Sequence, residues 1–285
     1  MGASQSKQEP QPELHSQSQP QLQQLQPHEP TRKESWLLSP QGNAKASKNS
    51  TKAMYNNATP NETQPMTQVK PLKGSLTLPH NYELILKDAD SPVDYKGKLL
   101  DQLYAGVFLD HKTKKYWVEK KSNSNCNCFL LYARALSITW GEDKRYWKWV
   151  QQNEASGTMI EVAELKMVCW LEVHVKFDTK KLSPGIVYQV SFITMLKDKA
   201  EPQGWELPIN VRLVLPGGKK QQHKENLMEK SRESWIEIPV GEFVPSEKEM
   251  GEMEISMYEH DGGMWKEGLV IKGVAIKPKN ELIKK

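Results

Sequence analysis

Residues 171–178 read Leu-Glu-Val-His-Val-Lys-Phe-Asp. Apolar and polar side chains alternate without a break. A period of two puts Leu171, Val173, Val175 and Phe177 on one face of a strand. Glu172, His174, Lys176 and Asp178 fall on the other. The stretch predicts a strand with one wet face.

Downstream, IVYQVSFITML (186–196) is nearly all apolar, as a central strand should be. INVRLVL, SWIEIPV, EMEISMY and LVIKGVAI follow, separated by glycine, proline and charged turns. Upstream, GVFL and YWVEK flank the polar DHKTKK, which predicts a hairpin. Ser91-Pro92-Val93-Asp94 reads as a helix start, with Leu99, Leu100, Leu103 and Tyr104 following at helical spacing. The segment 219–232 stays open between a charged loop and a short helix. Many short strands and almost no helix predict an all-β antiparallel sandwich.

The chain has 285 residues, of which only 37% are hydrophobic. Residues 8–30 are rich in Gln and Pro, and 31–75 in Lys, Ser, Asn and Thr. Neither part holds a sustained apolar period, so neither can offset the entropy of ordering. The expected layout is a disordered tail over 1–78 and one ordered domain over 79–280, including the leading helix and hairpin. Met1-Gly2-Ala3-Ser4-Gln5-Ser6 fits the pattern for N-myristoylation at Gly2. A single myristate gives marginal, reversible membrane contact.

Eight Lys/Arg and five Glu lie in residues 1–75, a net of +3 out of a whole-chain +4. The rest is close to neutral, which ranks nucleic acid low as a partner of the domain. No apolar leader segment opens the chain, so the Asn-x-Ser/Thr sequons at Asn49, Asn57 and Asn61 read as chance matches. Cys126, Cys128 and Cys169 make neither a disulfide framework nor a zinc set, and a reducing cytoplasm or nucleus fits them.

Signs of catalysis are thin. Gly217-Gly218-Lys219-Lys220 lacks the spaced glycine and the Ser/Thr of a phosphate loop. Cys126-Asn127-Cys128 has no neighbour that would lower a thiol pKa. Glu259 and Asp261 lie in YEHDGG, a glycine turn where water would keep both ionised, unlike a glycosidase pair. No cofactor and no metal is expected.

The aromatics carry more. Nine Trp stand against five Phe. Indole offers a broad π-face and one N–H donor, and the C–H face of a pyranose ring lies well on it. Residues 133–150, ARALSITWGEDKRYWKWV, gather Trp140, Trp147 and Trp149 around the polar turn GEDK. Leu136, Ile138 and Trp140 share a strand face that Gly141 ends, so Trp140 reads as half core and half rim. From composition alone each Trp favours the core; the polar turn is what favours a binding rim.

LYARALSITWGEDKRYWKW, EVAELKMVCWLEV, LSPGIVYQVSFITML, WIEIPVGEF and GEMEISMYEHDGGMWKEGLVIKGVAIKP together resemble the phloem protein 2 family, the plant lectins of the Nictaba type. The resemblance runs from about Leu78 to Lys279. It implies a β-sandwich of jelly-roll type that binds N-acetylglucosamine oligomers, chitin fragments and N-glycan cores without catalysis. It implies sugar-site roles for Trp140 in SITW, Trp147 in YW and Glu259 in the YExDGGxW stretch. Trp149 and Trp265 are assigned to packing. The Gln/Pro tail stands where some relatives carry an F-box, and Lys219, Lys220 and Lys224 are too sparse for a nuclear signal. A homodimer would add avidity to one shallow site. The resemblance also implies companion-cell or sieve-element cytoplasm. It opens a rival reading too: an interaction module for filament proteins or RNA of the phloem sap, with Cys126 and Cys128 crosslinking partners.

Overall fold

The computed structural model describes residues 77–121, 124–198 and 204–280. The expected tail, apart from Thr77 and Leu78, and the candidate lipidation site Gly2 lie outside them.

Two short helices lead, α1 (Tyr82–Ile85) and α2 (Leu99–Ala105). Then come β1 (Val107–Leu109), β2 (Lys114–Lys121), β3 (Ser124–Tyr132), β4 (Ser137–Ile138), β5 (Trp147–Asn153), β6 (Met159–Leu165) and β7 (Leu171–Asp178). The second half holds β8 (Tyr188–Leu196), β9 (Ile209–Val214), β10 (Lys220–Glu225), β11 (Ile236–Phe243), β12 (Glu252–Glu259) and β13 (Leu269–Pro278). They form two antiparallel sheets. One runs β1-β2-β3-β13-β6-β5, with β8 pairing both β13 and β11; the other runs β10-β9-β12-β7-β4.

The alternation in 171–178 is realised side by side. Leu171 and Val173 are fully buried and Val175 and Phe177 nearly so. Phe177 meets Phe129 of β3 edge-on at 4.9 Å, which ties the two sheets across the core. β8 is buried almost throughout because strands flank it on both sides.

The hairpin forms with Leu109 opposite Lys114. Its turn holds three consecutive left-handed residues, Asp110, His111 and Lys112. The helix expected from Ser91 does not start there: α2 begins at Leu99. The Asp90 carboxylate accepts the backbone N–H groups of His111 and Lys112 at 2.7 Å each, and Ala89 bridges Leu109. Residues 89–90 are thus held extended against the hairpin, and the chain turns helical only past Lys98. The ambiguous segment 219–232 resolves as β10 followed by a 3-10 turn at Leu227–Glu229.

After β3 the chain crosses to the smaller sheet as β4 and returns to the larger one as β5. The crossing turn, 139–146, therefore sits where the sandwich closes along one edge.

Candidate functional site

The crossing turn is built by its own hydrogen bonds. Thr139 N–H donates to Glu172 of β7 at 3.0 Å, and Gly141 N–H closes back on Ile138 at 2.9 Å. Asp143 caps the return: its carbonyl accepts the N–H groups of Tyr146 and Trp147. Its carboxylate takes Arg145 through two nitrogens, at 2.6 and 3.0 Å. The hydrogen bond from Arg145 holds that carboxyl down at about 2.

Trp140 bends the chain in a left-handed conformation, at φ 57°. For a bulky residue this is an outlier costing on the order of 1–2 kcal/mol, the kind of strain that clusters at working sites. Its ring is half-buried and leans on Tyr146 at 5.3 Å and 38°. Arg145 lies over the Tyr146 ring at 5.2 Å. The indole is packed against the core on one side and partly accessible.

Trp147 differs. It is 2% exposed and belongs to the core, with its N–H donated to Thr139 O at 3.1 Å. The expectation of an open ring at Trp147 is corrected by that burial. At the start of β5 its side chain points between the sheets, and its hydrogen bond pegs the turn to the strand. Trp149, two residues on, donates to Gly141 O at 3.0 Å. The Arg134 guanidinium covers its ring at 3.5 Å, so it packs as expected. Arg134 also pairs with Glu161 and Glu142, both at 2.7 Å.

Beside the turn lies an open groove of about 470 Å³ lined by Arg134, Glu142, Lys144, Lys148, Trp149 and Lys166, with only the 2% exposed edge of Trp147 at its floor. Its cations and Glu142 give donors and an acceptor next to aromatic carbon.

Glu259 ends β12 and is 3% exposed. It ion-pairs with the fully buried Lys266 and accepts the N–H groups of Asp261 and Gly262 at 2.9 Å each. Burial alone would push its carboxyl up. Lys266 and the two N–H groups outweigh burial and hold the group below the ordinary glutamate range. Lys266 spends its remaining donors on Cys169 O and Met264 O, at 2.9 and 3.0 Å. Direct contact between Glu259 and a ligand is therefore corrected: the carboxylate is committed inside the fold, where it shapes the 260–265 turn. On that turn His260 stacks against Trp170 at 4.2 Å. Trp265, assigned to packing from the sequence, is instead 48% exposed.

Sequence reasoning missed the parts played by Tyr146 and Arg134. Tyr146 acts through its ring, tilted against Trp140, and Arg134 through its guanidinium over Trp149, and no spacing rule encodes either contact. Among the described residues no cluster of His, Cys, Asp or Glu is placed to hold a metal ion.

Residues 126–278 match the family model described as Phloem protein 2. Protein PHLOEM PROTEIN 2-LIKE A1 of Arabidopsis thaliana is 47% identical, over 76% of this chain and 88% of its own. A protein named Lectin from Luffa acutangula is 44% identical, over 72% of this chain and 97% of its own. Among solved structures, the CBM22-1 xylan-binding domain of Paenibacillus barcinonensis Xyn10C is 11% identical with a TM-score of 0.32. It covers 53% of this chain and 90% of its own, a likeness too slight to argue from.

Proposed function

This chain belongs to the phloem protein 2 family, and on that footing we propose that it is a non-catalytic, carbohydrate-binding lectin. Its ligands are N-acetylglucosamine oligomers, chitin fragments and N-glycan cores. The relative named Lectin at 44% identity supports the class, and the choice of sugar carries over what the resemblance implies. The observation that carries the reading is Trp140: a partly exposed indole in a left-handed conformation, braced by Tyr146, in the same turn as Glu142 and Lys144 of a polar groove. A pyranose lies with its C–H face on that ring. Glu142, Lys144 and Lys148 then meet hydroxyl and acetamido groups at the rim.

Trp147 and Glu259 serve the site from within, Trp147 by pegging the turn to β5 and Glu259 by fixing the 260–265 turn. Neither touches the sugar.

Isothermal titration with chitotriose tests this. The wild type binds, and Trp140→Ala lowers affinity about tenfold, the loss of one stacking contact with its burial. Heat from neither protein, with no retention of the wild type on chitin, would overturn the reading.

A further inference from the structure

Three backbone segments far apart in sequence run side by side next to Trp140. The carbonyl of Tyr146 accepts the N–H groups of Lys166 at 2.8 Å and Met167 at 3.4 Å. Val168, one residue on, exchanges both of its backbone hydrogen bonds with Lys266, at 2.7 and 3.0 Å. Val168 and Lys266 point inward and are buried. Alternation then turns Met167 and Trp265 outward on one face, and they are 46% and 48% exposed. Tyr146, opposite Lys166, Met167, and Trp265, opposite Cys169, thus lie on a diagonal across three adjacent backbones, about 14 Å from end to end at the ordinary inter-strand spacing and residue rise.

Trp265 is presented rigidly. Its two flanking residues are fixed, Met264 through its carbonyl by the Lys266 ammonium and Lys266 itself by the pairing with Val168. Gly204 passes directly under its carbonyl, where a Cβ would lie 2.1 Å from the oxygen. Among the described residues no ring or cation stacks on its indole. A large apolar side chain left half in water on an immobile backbone has its side-chain surface available to a ligand, with little ordering cost left on binding.

We infer that Trp265, with Met167, forms a second saccharide subsite continuous with Trp140 and Tyr146, so that the domain reads an oligomer through at least two rings. This rests on the carbohydrate-binding reading above. Continuity with that surface fixes the occupant: the next ring of the chain whose first ring lies on Trp140.

The test compares N,N′-diacetylchitobiose with chitotetraose by isothermal titration, using the wild type, Trp265→Ala and Trp265→Phe. The wild type gains affinity with chain length. Trp265→Ala keeps chitobiose binding within about twofold and loses roughly tenfold for chitotetraose, the share of one aromatic contact. Trp265→Phe recovers most of that loss. Because the ring is exposed, both variants melt with the wild type.

Undiminished chitotetraose binding by Trp265→Ala would overturn the subsite and leave the lectin reading standing. Equal weakening toward both oligomers would overturn it as well, since Trp265 would then belong to the first ring's contacts. Failure of the wild type to bind any oligomer would remove both readings.

Discussion

Trp140 and Trp147 are the same residue type seven positions apart, and the fold gives them opposite tasks. Trp147→Ala opens a hole in the core and costs about 3–5 kcal/mol, read by chemical denaturation. Trp140→Gly removes a partly exposed ring while relieving a left-handed backbone, so it loses sugar binding with little change in melting temperature. Together the two variants separate holding the fold from touching the ligand. That tryptophans gather around residue 140 is legible in the sequence; that 147 is sealed and 140 partly open is not. The difference lies in a positive φ at Trp140, beside a glycine that reads only as the end of a strand face. Glu259 was legible as an acid near the site and not as half of a buried pair, because its partner Lys266 reads locally as one more surface lysine. Lys266→Met strands a buried carboxylate and costs about 3–5 kcal/mol, much of it recovered by adding Glu259→Gln. The folded-state pKa of Glu259 is depressed, so its contribution to stability is present above the unfolded value and is lost as pH falls through the folded one. A stability profile below about pH 4.3 therefore falls less steeply in the paired variant than in the wild type.

Strands were readable where one face is wet. β7 announces itself because Glu172, His174 and Lys176 mark every second position, and β8 because an apolar run bounded by turn residues has nowhere to go but inside. The helix start at Ser91 was misread for a physical reason. Capping signals are local, whereas Asp90 answers to a hairpin more than twenty residues away. β10 was illegible because its polar residues face solvent at a sheet edge, and only its pairing with β9 shows that it is a strand. Asp90→Ala removes the acceptor for two N–H groups of a turn with three left-handed residues. The expected cost is about 1–2 kcal/mol, with faster hydrogen exchange confined to the amides of His111 and Lys112.

Across the whole molecule, Phe129 and Phe177 lock the two sheets, and Cys126 and Cys128 of β3 are both fully buried. Burial pushes both thiols up, so neither is poised to crosslink a partner while the domain stays folded. A thiol-reactive chromophore titrates Cys169, which is partly open, in the native protein, and all three cysteines in denaturant. Rapid labelling of three thiols under native conditions would show that β3 opens more readily than its burial implies. The row of Tyr146, Met167 and Trp265 spans about 120 positions of chain, and its last member immediately precedes β13, the strand that bridges β3, β6 and β8. A fragment ending before that strand would keep Trp265 but lose the strand that closes the larger sheet beside it. Elution from immobilised chitin would then sort molecules by how completely they had closed, and a long glycan would act as a quality check on the finished sandwich.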